Sequence, residues 1–512
     1  MVNVNVGVLG HVDSGKTSLC RALSHKGSTA AFDKNPQSQR RGITLDLGFS
    51  TFSHSGPHGE TQYTLVDCPG HASLVKTVIG GAQIIDVMLL VIDVTKGVQT
   101  QTAECLIIGE ICCDRMLIVL NKLDLLDGGP AALEKIKTRM RKTLELTKFK
   151  DSEMIAISAN PQEAGPVGID ELKDLIAKSV PIPQRSRDGP FVLCVDHCFQ
   201  IKGQGTVLTG TVTQGMVSVN SLIEIPLLKL QRKVKSMQVF GQPVTEAIQG
   251  DRVGICVTQF EANLFERGVV CSPNHFQLTY AVLVPVLRIA YFRNSIRSGT
   301  KFHLTSIHDT VLGKQTFFSG SERSSIEQEF VFEEELAHNA DGKFFFALIE
   351  FDQPMICGVR SLVLGSKLDT DINTKTCRLA YHGKVAKTFV SPDYKKSLAA
   401  LRVSKTKHKT GVVDRVPNES EVIVKNLFKK ETNLEIFSGM KVAFSSGETG
   451  AIQSSFGQSG KVKIQLDVDS KISADLKRLL KAKKGEKPEG DPITVTLTFK
   501  RLVFDPSKKA IQ

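Results

Sequence analysis

The chain has no tryptophan and only five tyrosines among its 512 residues, so the flat side chains that usually stack on exposed nucleobases are nearly confined to phenylalanine. No C-x-x-C pair occurs among the eleven cysteines, and their number is odd. Both facts speak against a zinc ribbon and a disulfide framework, and they favour a reducing, cytoplasmic location. Cys194, His197 and Cys198 lie close in sequence, but packing in a strand accounts for them better than metal binding. No apolar run is long enough to span a bilayer, since the best, residues 82–94, is broken by Asp86 and Asp93. The opening residues alternate like a strand and lack the basic stretch and apolar core of a signal peptide. These absences predict a soluble protein with no membrane partner.

What is present begins at once. After the alternating Val4, Val6 and Val8, residues 10–17 read Gly-His-Val-Asp-Ser-Gly-Lys-Thr and fit G-x-x-x-x-G-K-[ST]. This pattern predicts a phosphate cradle: Asp13, Ser14, Gly15 and Ser18 contribute loop and helix-start N–H groups, Lys16 neutralises β/γ charge, and the Thr17 hydroxyl holds Mg²⁺. Asn121-Lys122-Leu123-Asp124 follows the apolar run 116–120 as a strand-end loop should. An Asp124 carboxylate accepts from guanine N1 and its exocyclic amine, whereas adenine offers no such donor pair on that edge. Asn121 is expected to buttress the loop and the Lys122 stem to cover the base. Ser158-Ala159 would complete the pocket with a backbone N–H to guanine O6. The cofactor set is therefore GTP or GDP with Mg²⁺.

Two segments between these motifs can sense a third phosphate. The Thr44 hydroxyl in Arg41-Gly42-Ile43-Thr44-Leu45-Asp46 would complete the Mg²⁺ shell only with triphosphate present. In Asp67-Cys68-Pro69-Gly70-His71, Asp67 would reach Mg²⁺ through water and Gly70 would give its N–H to the γ-phosphate. His71 stands where a side chain can orient the attacking water. Lys16, Thr44, Asp67 and His71 form the catalytic set for in-line hydrolysis of GTP. No arginine finger is evident, so an external activator is expected.

Pro69-Gly70-His71, Arg41 to Thr44 and Gly203-Gln204-Gly205-Thr206-Val207-Leu208-Thr209-Gly210 together resemble the translational GTPases of the elongation factor Tu type, which the ribosome activates. Within that group, the run from Arg41 to Phe49, Val195-Asp196-His197-Cys198-Phe199 and Gly250-Asp251-Arg252 resemble the eukaryotic selenocysteine-specific elongation factors, as do 427–433 and 455–461 near the C-terminus. The resemblance implies a monomer that binds selenocysteyl-tRNA and the ribosome. It also implies a last domain directed at the selenocysteine insertion element RNA and its binding protein. Asp196, His197 and Arg252 would line the pocket for the aminoacyl side chain, where cationic groups favour a selenolate over the neutral hydroxyl of serine. Adjacent strand residues point to opposite faces, so Asp196 and His197 can share a pocket only at a bulge or a strand end. The alternative is a structural Asp196–Arg252 ion pair with His197 on the surface. Two other identities remain open: a general elongation or initiation factor GTPase, and an RNA scaffold that binds GTP without hydrolysing it.

The pattern changes period along the chain. An α/β P-loop GTPase domain is expected over 1–184, then two β-barrels over 190–275 and 276–383, and a mixed, β-rich, barrel-like domain over 384–512. Residues 319–343 are polar, carry an acidic run at Glu333-Glu334-Glu335 and read as a mobile loop in the third domain. From Lys384 onward there are 26 basic against 14 acidic residues, a surplus of 12 that equals the surplus of the whole chain. A basic module on a balanced body suggests an appended nucleic-acid contact, with any stacking left to Phe428, Phe437, Phe444, Phe456 and Phe499. The basic run 481–488 could also serve as a nuclear import signal, giving a second location.

Overall fold

A computed structural model describes residues 2–512 except 25, 28–46, 58, 71–74, 83, 162–163, 308, 339–341, 370–375, 458–459, 468–471, 482–490, 506 and 508–509. The expectations placed on Arg41–Asp46, Thr44 and His71, and on most of the 481–488 run, lie outside the described residues. Among these residues no helix is long and apolar enough to cross a membrane.

The GTP-binding part is built on strands β1 (Val2–Gly10), β2 (Lys26–Gly27), β3 (Gly48–Gly56), β4 (Gly59–Asp67), β5 (Val87–Asp93), β6 (Arg115–Asn121) and β7 (Met154–Ala156). Its helices are α1 (Lys16–Leu23), α2 (Val75–Ala82), α3 (Thr100–Cys112), α4 (Gly129–Leu144) and α5 (Ile169–Ser179). The sheet order is β2-β3-β4-β1-β5-β6-β7, with β3 antiparallel to β4 and the strands from β4 through β7 parallel. A sheet covered on both faces needs strands that are apolar on both sides. Accordingly Val4, Val6 and Val8 join α1 and α5 in one core, while Leu9 joins α2, α3 and α4 in the other. The two central strands thus deliver their C-terminal ends, Gly10 and Asp67, to one edge of the sheet.

Residues 192–271 form a barrel in the order 222–225, 268–271, 192–201, 205–214, 252–257, 230–239, closed by pairing of 222–225 with 230–239. Residues 278–389 form another closed barrel, in which 301–306 pairs with both 309–314 and 366–364. Strands 379–384 and 387–389 both pair with 278–288, so this domain runs past residue 383 and its compact unit ends at Pro392.

A second compact unit contains 317–334, 341–345 and 393–512. Its core gathers Val422, Val424, Ile464, Val495 and Phe499 from three strands, Phe437 from a short 3-10 turn and Leu476 from the helix Ala474–Lys481. The stretch read as a mobile loop is corrected here. Phe330–Glu333 is a strand that pairs antiparallel with Phe317–Ser319 and parallel with Val403–Ser404. Phe317, Phe318 and Phe330 are fully buried, and Phe318 meets Phe330 edge-on at 4.9 Å between centroids. Burial of three phenylalanines outweighs the polar composition around them. Of the five candidate stacking rings, Phe428, Phe437, Phe444 and Phe499 are core residues, and Phe456 is half-buried under Arg415 at 4.9 Å.

Candidate functional site

The phosphate loop follows from where β1 stops and α1 starts. Gly15 caps α1 with φ 90°, and no acidic residue occupies the first turn, so the positive end of the helix faces outward for an anion. A Cβ on Gly15 would stand 2.2 Å from Asn121 Nδ2, and one on Gly10 would stand 2.3 Å from Val91 O. Lys16 is buried, and its Nζ donates to His11 O at 2.7 Å, which aims it across the loop. Burial pushes its ammonium pKa down, and the Asp67 carboxylate offsets this only in part. The Ser14 hydroxyl is buried with no hydrogen-bond partner among the described residues, as suits a group that meets a phosphate oxygen. Ser18 lies in the first turn of α1, and Asp13 adopts φ 61° in the loop.

Thr17 Oγ1 donates to Asp67 Oδ2 at 2.7 Å, bringing a helix-start hydroxyl and a strand-end carboxylate together beside the cradle. Such an oxygen pair fits a hard divalent cation that takes its other ligands from phosphate and water. Among the described residues no group of three or more His, Cys, Asp or Glu side chains converges on a metal site. Gly70 packs against this assembly: a Cβ there would come 2.3 Å from Lys16 Nζ and 2.9 Å from Val12 N. Its backbone is therefore beside the cradle, while His71 and Thr44 lie outside the described residues.

The base side is tied to the phosphate side through Asn121. Its Nδ2 donates to Ser14 O at 2.9 Å, and its Oδ1 accepts from Ala159 N at 3.0 Å. Asp124 N donates to Ser158 Oγ at 3.0 Å, while Lys122, at φ 66°, reaches Asp93 at 2.9 Å. One expectation is revised: the N–H groups of Ser158 and Ala159 go to Val167 O and Asn121 Oδ1, so neither is held in reserve for a base oxygen.

The second cluster lies on the first barrel. Pairing between 192–201 and 205–214 runs Val195↔Gly210 and then His197↔Thr209, which leaves Asp196 as the extra residue of a bulge. That irregularity lets two consecutive side chains meet on one side. Asp196 Oδ1 lies 2.9 Å from His197 Nδ1, and Thr209 Oγ1 donates to the same oxygen at 3.0 Å. Arg252 donates to Asp196 from both Nη atoms, at 2.5 and 3.1 Å. The three predicted residues are therefore together. Asp196 and Arg252 are buried, and His197 remains partly exposed. Burial alone would raise the Asp196 pKa, but the Arg252 charge and the His197 and Arg252 hydrogen bonds hold it well below the usual carboxylate range. A cleft of about 230 Å³ opens beside Arg252, lined also by Phe199, Val207, Thr209, Met237 and Cys256.

Sequence reading missed what surrounds this cluster. The Phe49 ring of β3 lies 3.1 Å from the Arg252 guanidinium carbon. Asn3 and Asn5 of β1 donate to Gly250 O at 2.7 and 2.9 Å. Arg185 of the linker binds Asp86 and Asn3 O, and a Cβ on Gly250 would be 2.3 Å from its guanidinium. The only signal in the sequence was the presence of asparagines in an otherwise apolar first strand.

Three families match successive stretches: the elongation factor Tu GTP binding domain over 1–182, the third domain of eukaryotic selenocysteine-specific elongation factors over 283–383, and the eEFSec C-terminal RIFT domain over 399–508. The mouse selenocysteine-specific elongation factor is 49% identical, covering 100% of this chain and 99% of its own. The protein of that description from Methanocaldococcus jannaschii is 31% identical over 91% of this chain and 95% of its own. The crystal structure of translation elongation factor SelB from Methanococcus maripaludis, in complex with the GTP analogue GPPNHP, superposes with a TM-score of 0.72 at 25% identity, covering 98% of this chain and 99% of that one. With a P-loop domain of the elongation factor Tu kind and full-length relatives of one description, the chain belongs to the selenocysteine-specific elongation factors, a family of translational GTPases.

Proposed function

We propose that the protein carries selenocysteyl-tRNA to the ribosome while GTP is bound, and releases it when the ribosome stimulates hydrolysis. The observation that carries this reading is the bulge at Asp196, which gathers Asp196, His197 and Arg252 beside a cleft of the second domain. A guanidinium has five N–H donors, and Asp196 engages Nη1 and Nη2, so donors remain for a second anion. A selenol ionises below the cysteine value of about 8.5, so at neutral pH the esterified side chain is an anion. A charge-assisted contact of this kind separates it from neutral serine by about a hundredfold.

In the first domain, Lys16 and the loop N–H groups bind the phosphates, Thr17 and Thr44 would supply hydroxyl oxygens to Mg²⁺, and Asp67 would reach it through water. A bound Mg²⁺ neutralises charge on the β- and γ-phosphates. Gly70 N–H holds the γ-phosphate, and His71 orients the water that attacks it. Asp124 selects guanine. The basic last domain meets the insertion element RNA and its binding protein, and the protein works in the cytoplasm as a monomer. The test is a filter-binding comparison of selenocysteyl- and seryl-tRNA on the GTP-loaded protein, alongside ribosome-stimulated phosphate release by wild type and His71→Ala. Indifference to the charged residue refutes the carrier reading, and equal release rates refute the role of His71.

A further inference from the structure

Arg252 is held from two sides by different domains. Asp196 grips the edge of the guanidinium in its own plane, through Nη1 and Nη2. The Phe49 ring covers one face, with the guanidinium carbon 3.1 Å from the ring centroid. Phe49 comes from β3 of the GTP-binding domain, three residues after the candidate switch segment 41–46, and is fully buried. Two residues before Arg252, Gly250 O is pinned by Asn3 and Asn5 of β1, the strand that leads into the phosphate loop.

We propose that Phe49 is a positioning residue for selenocysteine selection: its ring fixes the plane of the Arg252 guanidinium, so that the charge-selective pocket is complete only when the GTP-binding domain is seated on the second domain. This rests on the reading of Arg252 as the selenolate-facing group. The physical basis is that Asp196 alone constrains the guanidinium edge but leaves rotation about that edge open. An aromatic face stacked on a desolvated guanidinium removes this rotation and favours the cationic group at one orientation. The pocket thereby depends on two domains, although all three residues predicted for it belong to one. Selectivity, not overall grip, is then the property that a ring-free residue 49 disturbs.

The experiment measures dissociation constants of selenocysteyl- and seryl-tRNA with a non-hydrolysable GTP analogue, for wild type, Phe49→Leu, Arg252→Ala and the double variant. Phe49→Leu should cut the preference for selenocysteyl-tRNA by about tenfold while leaving seryl-tRNA binding near wild type. It should cost no further preference in the Arg252→Ala background, because both act through one group. Phe49→Met, whose flexible side chain refills the space without a ring, provides the same comparison if the leucine variant folds poorly. If Arg252→Ala loses the preference and the residue 49 variants keep it, the positioning role is overturned and the pocket reading stands. If both charged tRNAs weaken in parallel, Phe49 is core packing and the proposal is overturned. If Arg252→Ala keeps the preference, the pocket reading itself fails.

Discussion

Glu104 on α3 and Arg378 of the third domain make a buried ion pair across 274 residues of sequence, with side chains only 5% and 6% exposed. Arg378 Nε and Nη2 reach the two carboxylate oxygens at 2.9 and 2.6 Å, and its backbone N–H reaches Oε1 at 3.4 Å. Glu104→Ala deletes all three acceptor contacts and leaves the guanidinium charge in a desolvated place. Loss of one partner of a buried pair costs about 3–5 kcal/mol, against about 0–1 kcal/mol at the surface. For a compact unit of about 370 residues, each kcal/mol moves the melting temperature by about 1–2 °C, so the transition that includes this interface should fall by about 3–10 °C. Because the chain has no tryptophan, circular dichroism or scanning calorimetry is the suitable probe, with the separate transitions of a multidomain protein resolved. Replacing both residues by methionine removes the charges together and should restore most of the loss. A Glu104→Ala protein that melts within about 2 °C of wild type, or a double variant as damaged as the single one, would refute the reasoning.

Three further outcomes are expected. Asp124→Asn exchanges an acceptor for a donor at the base edge, so GTP affinity should fall by about a hundredfold or more and xanthosine triphosphate should bind better than in wild type, as read by fluorescent-nucleotide titration. Gly15→Ala puts a methyl group 2.2 Å from Asn121 Nδ2 at a backbone φ of +90° and should weaken nucleotide binding by about tenfold or more, measured in the same assay. Asp196 has a lower pKa in the fold than in the unfolded chain, so it stabilises the protein fully above about pH 4 and this contribution vanishes as pH falls toward the lowered value. The gap in urea midpoint between wild type and Asp196→Asn should therefore narrow as the pH falls below about pH 4. A gap that widens below about pH 4 contradicts the assignment.

The phosphate and base loops were legible because each function sits on consecutive residues at the end of a strand, in a fixed order along the chain. Gly10 to Thr17 and Asn121 to Asp124 carry their geometry in their own residue types. The Glu104–Arg378 pair was not legible, since each looks like an ordinary surface charge until the fold brings them together. The Phe49–Arg252 contact was hidden for the same reason. For 319–343, composition pointed the wrong way: serine and glutamate dominate the count, but Phe330, buried against Phe318 just before the stretch, dominates the energy. Residues 196 and 197 fell between these cases. Strand alternation stated the condition for their meeting, and the pairing Val195↔Gly210, His197↔Thr209 met it.

That offset has an evolutionary meaning. In a barrel lacking residue 196, position 195 would still face 210 and position 197 would face 209, so the ladder closes with no other pair displaced. Gain or loss of a single codon is thus enough to add or erase an acidic anchor for Arg252 while the host architecture stays intact. On the role proposed for this pocket, one mutational step in an ancestral barrel supplies the anchor on which a cargo preference depends, and the corresponding one-residue deletion tests that dependence.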